Sequence, residues 1–166
     1  MGSRAMYRNW VQYQAMVVSE AVYDDEQKRG PDQGVYFHKG DNNSERFLIH
    51  VIGTTAFVAF CGTKDQSHFM ELQEFELESI NEGSELKAMK GTLNQRDKWI
   101  PLMVEAFEPS GIKHLVLTGH SRGGSIAFIK LAMYFINPHT NLNSNMVVEA
   151  IAFGSPYCFN GPFLCT

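Results

Sequence analysis

A chain of 166 residues with 44% apolar content is long enough to bury one sizeable core, and nothing in it suggests a second domain. Its formal charge of −4, without a clustered lysine and arginine face, argues against nucleic acid and anionic membrane surfaces as primary partners. No apolar run reaches transmembrane length, the six histidines lack metal-ligand spacing, and the three cysteines (Cys61, Cys158, Cys165) form neither a C-x-x-C pair nor a disulfide framework; no metal or cofactor is expected.

In chain order, Met1-Gly2-Ser3 reads as an expression scar, so residues 1–6 are expected to be a scar or disordered tail and residues 7–166 one domain. No signal-peptide core is present; a cytoplasmic location is the default, and a secreted one stays open if a signal has been removed. Tyr7, Trp10, Tyr13, Val17 and Ala21 recur at three- and four-residue intervals, which predicts a core-covering helix from about Tyr7 to Tyr23 with those residues on its buried face. A polar turn at Gly30-Pro31-Asp32 leads to β-rich segments at 35–38, 47–53 and 55–61. The last is almost continuously apolar, as a central strand covered on both faces must be. From Lys64 to Gly91 helical and strand spacings compete and no assignment is made. Trp99, Ile100, Met103, Val104 and Phe107 predict a helix over about 94–109. A strand at 114–118, a helix over 122–136 and a strand at 147–153 complete the chain, and this alternation specifies an α/β fold with a mostly parallel sheet and helices on both faces.

Between the strand at 114–118 and the helix after it stands Gly119-His120-Ser121-Arg122-Gly123. A G-x-S-x-G match arises by chance in about one chain in fifteen or twenty of this length. Its position at a strand-to-helix junction is what a nucleophile elbow requires, because the serine there sits on a turn so tight that side chains two residues to either side would clash. A serine hydroxyl needs a base to take its proton, and the oxyanion it creates needs fixed N–H donors. The Arg122 N–H, at a helix N-terminus, is one candidate donor. Gly62-Thr63, at the end of the earlier central strand, is placed to supply a second through the Thr63 N–H and hydroxyl; the alternative is an ordinary strand-end turn.

Three segments together resemble the class 3 (fungal-type) lipases of the α/β-hydrolase superfamily: Val58-Ala59-Phe60-Cys61-Gly62-Thr63, then Thr118-Gly119-His120-Ser121 followed by Gly123-Gly124, then Ala152-Phe153-Gly154-Ser155-Pro156. The resemblance implies an α/β-hydrolase-like sheet and action on carboxylic ester bonds of acylglycerol-like lipids. It makes Ser121 the nucleophile, Thr63 and Arg122 the oxyanion hole, and Gly119, His120 and Gly123 structural residues of the elbow. Residues 64–80, with Phe69, Met70, Leu72 and Phe75, correspond to a mobile lid; packing of these residues into the core is the other reading. Cys61 stands where the family usually has arginine, and Arg122 where it often has leucine.

In this fold the acid and histidine of the triad follow the serine, and after Ser121 the only histidine is His139 and the only carboxylate side chain Glu149, in reversed order. Neither they nor His68 read as a working partner, and the chain is expected to be C-terminally truncated relative to the family. Two functions stay open: a serine ester hydrolase, favoured by the intact elbow, and a non-catalytic lipase-like binding or regulatory module, favoured by the missing acid and base. An uncovered strand at 147–153 would form a sheet edge open to another copy, so a homo-oligomer is expected.

Overall fold

Side-chain alternation along one strand divides the core into two layers. In β3 (Thr55–Phe60) every residue is buried; Ala56, Val58 and Phe60 join one apolar cluster, while Phe57, Ala59 and the following Cys61 join the other. Only a strand sandwiched between helices can be apolar on both faces in this way. The computed structural model describes residues 2–24, 34–38, 46–63, 77–80, 85–90, 111–136, 145–156 and 158.

The main sheet is ordered β1–β2–β3–β6–β7, where β1 is Val35–His38, β2 Phe47–Ile52, β6 His114–His120 and β7 Val147–Phe153. β1, β2 and β3 form an antiparallel meander joined by short connections. β3, β6 and β7 are parallel, with Phe60 opposite Gly119 and His120 opposite Phe153. The α/β expectation is met, and the parallel strands β6 and β7 are joined through a helix, as a parallel connection requires. Helix α2 (Arg122–Ile136) packs Ile126, Ala127 and Leu131 against Leu115 and Leu117 on one face. Helix α1 (Gly2–Ala21) packs Val11, Ala15 and Val18 against Phe57, Ala59 and Val116 on the other. A two-stranded ribbon, β4 (Leu77–Ser79) with β5 (Lys87–Met89), contributes Ala88 and Met89 to a third cluster with Ile129 and Ala132 of α2.

Two expectations need correction. The N-terminal helix starts at Gly2 rather than near Tyr7, because residues 2–9 are exposed and carry no burial periodicity to read. Its buried stripe is Val11, Ala15, Val18 and Ser19, whereas Tyr7, Tyr13 and Val17 are exposed. Close approach to the sheet favours the small side chains: the Ser19 hydroxyl reaches Thr118 Oγ1 at 2.8 Å, a contact that a tyrosine on that stripe would prevent. The ribbon supplies structure where the sequence left 64–91 open; residues 64–76, which hold most of the expected lid, and the expected helix at 94–109 lie outside the described residues.

Candidate active site

At the C-terminal end of β6 the chain reverses into α2 within one residue. That residue is Ser121, whose φ of 55° lies in the left-handed region; no other non-glycine among the described residues has a positive φ. An L-residue held there costs about 1–2 kcal/mol, so the surrounding structure must over-determine it. It does so through the backbone. The Ser121 N–H donates to the Phe153 carbonyl at the end of β7 (2.9 Å), and the Ser121 carbonyl accepts the N–H of Gly124 (2.9 Å) and of Ser125 (3.4 Å), opening the first turn of α2.

The flanking glycines are there for space. A Cβ on Gly119 would meet the backbone carbonyl group of Gly123, and one on Gly123 would meet the Phe60 carbonyl oxygen at the end of β3. The elbow is therefore pressed against its own helix and against the neighbouring strand. The Gly154-Ser155-Pro156 turn is tied to the same helix: Ser125 Oγ lies 3.1 Å from Ser155 Oγ and donates to the Pro156 carbonyl at 3.0 Å.

Beyond Phe60, at the parallel end of β3, come Cys61, Gly62 and Thr63. The Cys61 N–H donates to the Arg46 carbonyl (3.0 Å) and the Gly62 N–H to the Tyr23 hydroxyl (3.0 Å). Thr63 Oγ1 is buried and has no hydrogen-bond partner among the described residues. A buried hydroxyl without a partner is uncommon, since leaving one unsatisfied costs about 1–3 kcal/mol. Arg122 opens α2 with its side chain buried, and its backbone N–H is among the first-turn donors that an α-helix leaves without an intrahelical acceptor. The His120 side chain is exposed, its ring 6.4 Å from that of Tyr23 and edge-on to it. Met16, Ser19, Glu20, Tyr23, His120 and Phe153 line a cavity of about 500 Å³ on the α1 side of this end of the sheet.

The model of the class 3 lipase family matches residues 57–164, a span that takes in the end of β3, the elbow and the Gly-Ser-Pro turn. The chain belongs to the class 3 lipases. Among solved structures this lipase-family chain is similar to a fungal lipase in complex with an inhibitor (TM-score 0.70, 16% identity, covering 96% of this chain and 65% of that one). It is similar also to the triacylglyceride lipase of Rhizomucor miehei (TM-score 0.64, 16% identity, 96% and 65%). A third is a triacylglycerol lipase whose catalytic centre is a serine-protease triad (TM-score 0.67, 17% identity, 96% and 65%). These likenesses give the α/β-hydrolase fold, and the chain spans 65% of the length of each of these three lipases. No curated protein sequence matches it.

The structure brings Ser121, Arg122, Gly123 and the 61–63 segment to one end of the sheet and places Glu149 elsewhere. Glu149 lies four residues before Phe153 on β7, about 13 Å along the strand at ~3.3 Å per residue. Its carboxylate Oε1 is 2.8 Å from His114 Nε2, close enough to pair when the ring is protonated, though off line for a hydrogen bond. The His114 Nδ1 on the other side is 3.0 Å from the Tyr7 hydroxyl. His68 and His139 lie outside the described residues, as does Cys165; Cys61 and Cys158 are buried thiols. Within the described residues no group of histidine, cysteine and carboxylate side chains is arranged to hold a metal ion. None of the described helices is long and apolar enough to cross a membrane.

Sequence reasoning missed Tyr23. The helical spacing places it at the end of the predicted helix, yet its hydroxyl accepts the Gly62 N–H and donates to the His120 carbonyl at 3.3 Å. Burial, reinforced by the neighbouring Cys61, pushes this phenol above its ordinary range, against the pull of the Gly62 N–H. At neutral pH it is the protonated, donating form that stands between the two backbones.

Proposed function

We propose that this chain is a carboxylic ester hydrolase of lipase type in which Ser121 is the nucleophile. The observation that carries the reading is the left-handed Ser121 backbone at the β6–α2 junction, anchored by Phe153 and crowded by two glycines. Strain at one non-glycine residue, maintained by the fold, is characteristic of a site that projects a side chain out of a turn.

In this reading Ser121 Oγ attacks the ester carbonyl carbon and forms the new C–O bond as its proton passes to a base. The carbonyl π electrons move onto oxygen. The resulting oxyanion is met by the Arg122 N–H, assisted by the helix N-terminus, and by the N–H and hydroxyl of Thr63. Collapse of the intermediate expels the alcohol with a proton and leaves an acyl-serine, which water hydrolyses to the acid. The buried Thr63 hydroxyl, without a partner among the described residues, supports its place in this hole. His120 serves the elbow through its backbone. Among the described residues no side chain hydrogen-bonds the Ser121 hydroxyl, so the base is left unassigned. Substrates are lipid esters of the acylglycerol kind, in keeping with the family.

The test is labelling by a fluorophosphonate ester, with Ser121→Ala as control. Labelling that disappears in the variant is expected and marks an activated serine. An unlabelled chain, under conditions that label an intact serine esterase, would refute the reading and leave a lipase-like fold used for binding.

A further inference from the structure

The β3–β6 ladder runs in register to Phe60 opposite Gly119 and then the strands part. In the gap stands one hydroxyl group. Tyr23 Oη accepts the N–H of Gly62 (3.0 Å) and donates to the carbonyl of His120 (3.3 Å), a bridge where the next backbone rung would otherwise form. Gly62 is the residue before Thr63, and His120 the residue before Ser121.

We propose that Tyr23 is a positioning residue for catalysis, setting the separation between the nucleophile and the oxyanion hole; this rests on the hydrolase reading of Ser121 and Thr63. A direct backbone rung would draw the two strand ends together, to the roughly 4.8 Å spacing of paired strands. The inserted hydroxyl takes the place of that rung and fixes both strand ends to the same atom. Gly62 is required for this arrangement, since a Cβ there would collide with the Tyr23 hydroxyl and stand 2.6 Å from the His120 oxygen.

A hydroxyl can position other groups only if it is itself held, and Tyr23 is held by its neighbours in sequence. It lies two residues beyond the last residue of α1, where the Tyr23 and Asp24 N–H groups tighten the helix end by bonding the Glu20 and Ala21 carbonyls (3.1 Å each). The carbonyls on either side of it, Val22 and Asp24, accept from the buried Arg46 guanidinium at 2.5 and 2.6 Å. A cation at a helix C-terminus is favourable, and this one also lies 4.6 Å over the Phe37 ring. The backbone carbonyl of the same arginine takes the Cys61 N–H. Consecutive amides of the segment leading to Thr63 are thus anchored to Arg46 and to Tyr23.

The experiment uses the full chain and Tyr23→Phe, which keeps the ring and deletes the hydroxyl. Fluorophosphonate labelling of Ser121 is followed against probe concentration, separating the limiting rate from the half-saturating concentration, and amide hydrogen exchange is followed at Gly62. Loss of a well-placed oxyanion donor costs about 10²–10³ in rate, so its displacement is expected to lower the limiting rate ~10-fold or more, with half-saturation unchanged. Exchange at Gly62 is expected to speed up in the same variant. Tyr7→Phe is the matched control: it deletes a hydroxyl on the same helix that lies 3.1 Å from Thr55 Oγ1 and 3.0 Å from His114 Nδ1 at the opposite end of the sheet. It should leave the limiting rate at the wild-type value. A labelled wild type with an equal limiting rate in Tyr23→Phe overturns the positioning role alone, as does an equal loss in Tyr7→Phe. A wild type that is not labelled overturns the hydrolase reading, and the positioning role with it.

Discussion

Replacing Gly123 by alanine tests whether the elbow is held by backbone contact. The added Cβ would meet the Phe60 carbonyl oxygen, stand 2.9 Å from the Phe60 carbonyl carbon and lie 3.1 Å from that of Cys61. All three are backbone atoms of the central strand or its extension, so no side chain can swing away, and α2 must back off the sheet. Overpacking costs about 1–3 kcal/mol, and a rigid partner places this case near 3. Alanine returns up to ~1 kcal/mol through its better helix propensity. The net loss of ~2 kcal/mol corresponds to a melting point lower by about 4–8 °C for a domain of this size. Labelling of Ser121 should fall further than stability, because a ~1 Å misplacement of reacting groups can cost about 10²-fold. Thermal melts of Gly123→Ala are to be compared with Gly111→Ala, where a Cβ meets nothing within 4 Å. That control should stay within about 0.5 kcal/mol of wild type. A Gly123→Ala melt matching that of the control would refute the argument that contact with β3 holds the elbow.

Glu149→Gln should leave Ser121 labelling unchanged and lower stability by less than ~1 kcal/mol, because the carboxylate is half-exposed and faces His114; a large loss of labelling would bring Glu149 into the chemistry. Burial pushes the Cys158 thiol up from 9.0 to about 11, against the pull of its contact with Ser125. The native state therefore keeps its proton between pH 9 and about 11 while the unfolded chain loses it, so stability falls as pH rises through that window. Melting points measured across it should decline less steeply in Cys158→Ala, and parallel slopes would refute the assignment. Val147 on β7 is 62% exposed and no described strand pairs with the outer edge of β7, so association of copies through this edge is expected, with light scattering the test and the mass of one chain the refuting result.

The parts of the fold legible in the sequence were those where one physical requirement acted alone. The unbroken apolar run of β3 announced a strand covered on both sides, and Gly119-x-Ser121-x-Gly123 announced a turn too tight for side chains. The spacing in α1 marks a helix but not its buried face, because large aromatics dominate a periodicity count while the sheet selects the small Ala15 and Ser19 for close approach. The ribbon of β4 and β5 was not legible: each strand has three residues, and β4 is exposed throughout, so no hydrophobic alternation marks it. Tyr23 escaped notice because its role depends on Gly62 and His120, partners far away in sequence. Periodicity reports what a residue does within its own element and is blind to what its tip reaches.

The bridge from Tyr23 to His120 spans 97 residues of sequence, and the Ser19–Thr118 contact spans 99. During synthesis at about 5–20 residues per second, the end of α1 leaves the ribosome some 5–20 s, and β3 some 3–12 s, before the end of β6. In that interval one layer of the apolar face of β3 awaits β6 and α2, and the Tyr23 hydroxyl has only half its partners. Such long-range closure slows folding, since loop entropy is lost before the contacts that compensate it exist. The strained Ser121 backbone is thus set in place only after β6 and β7 have docked, since its N–H is held by the Phe153 carbonyl.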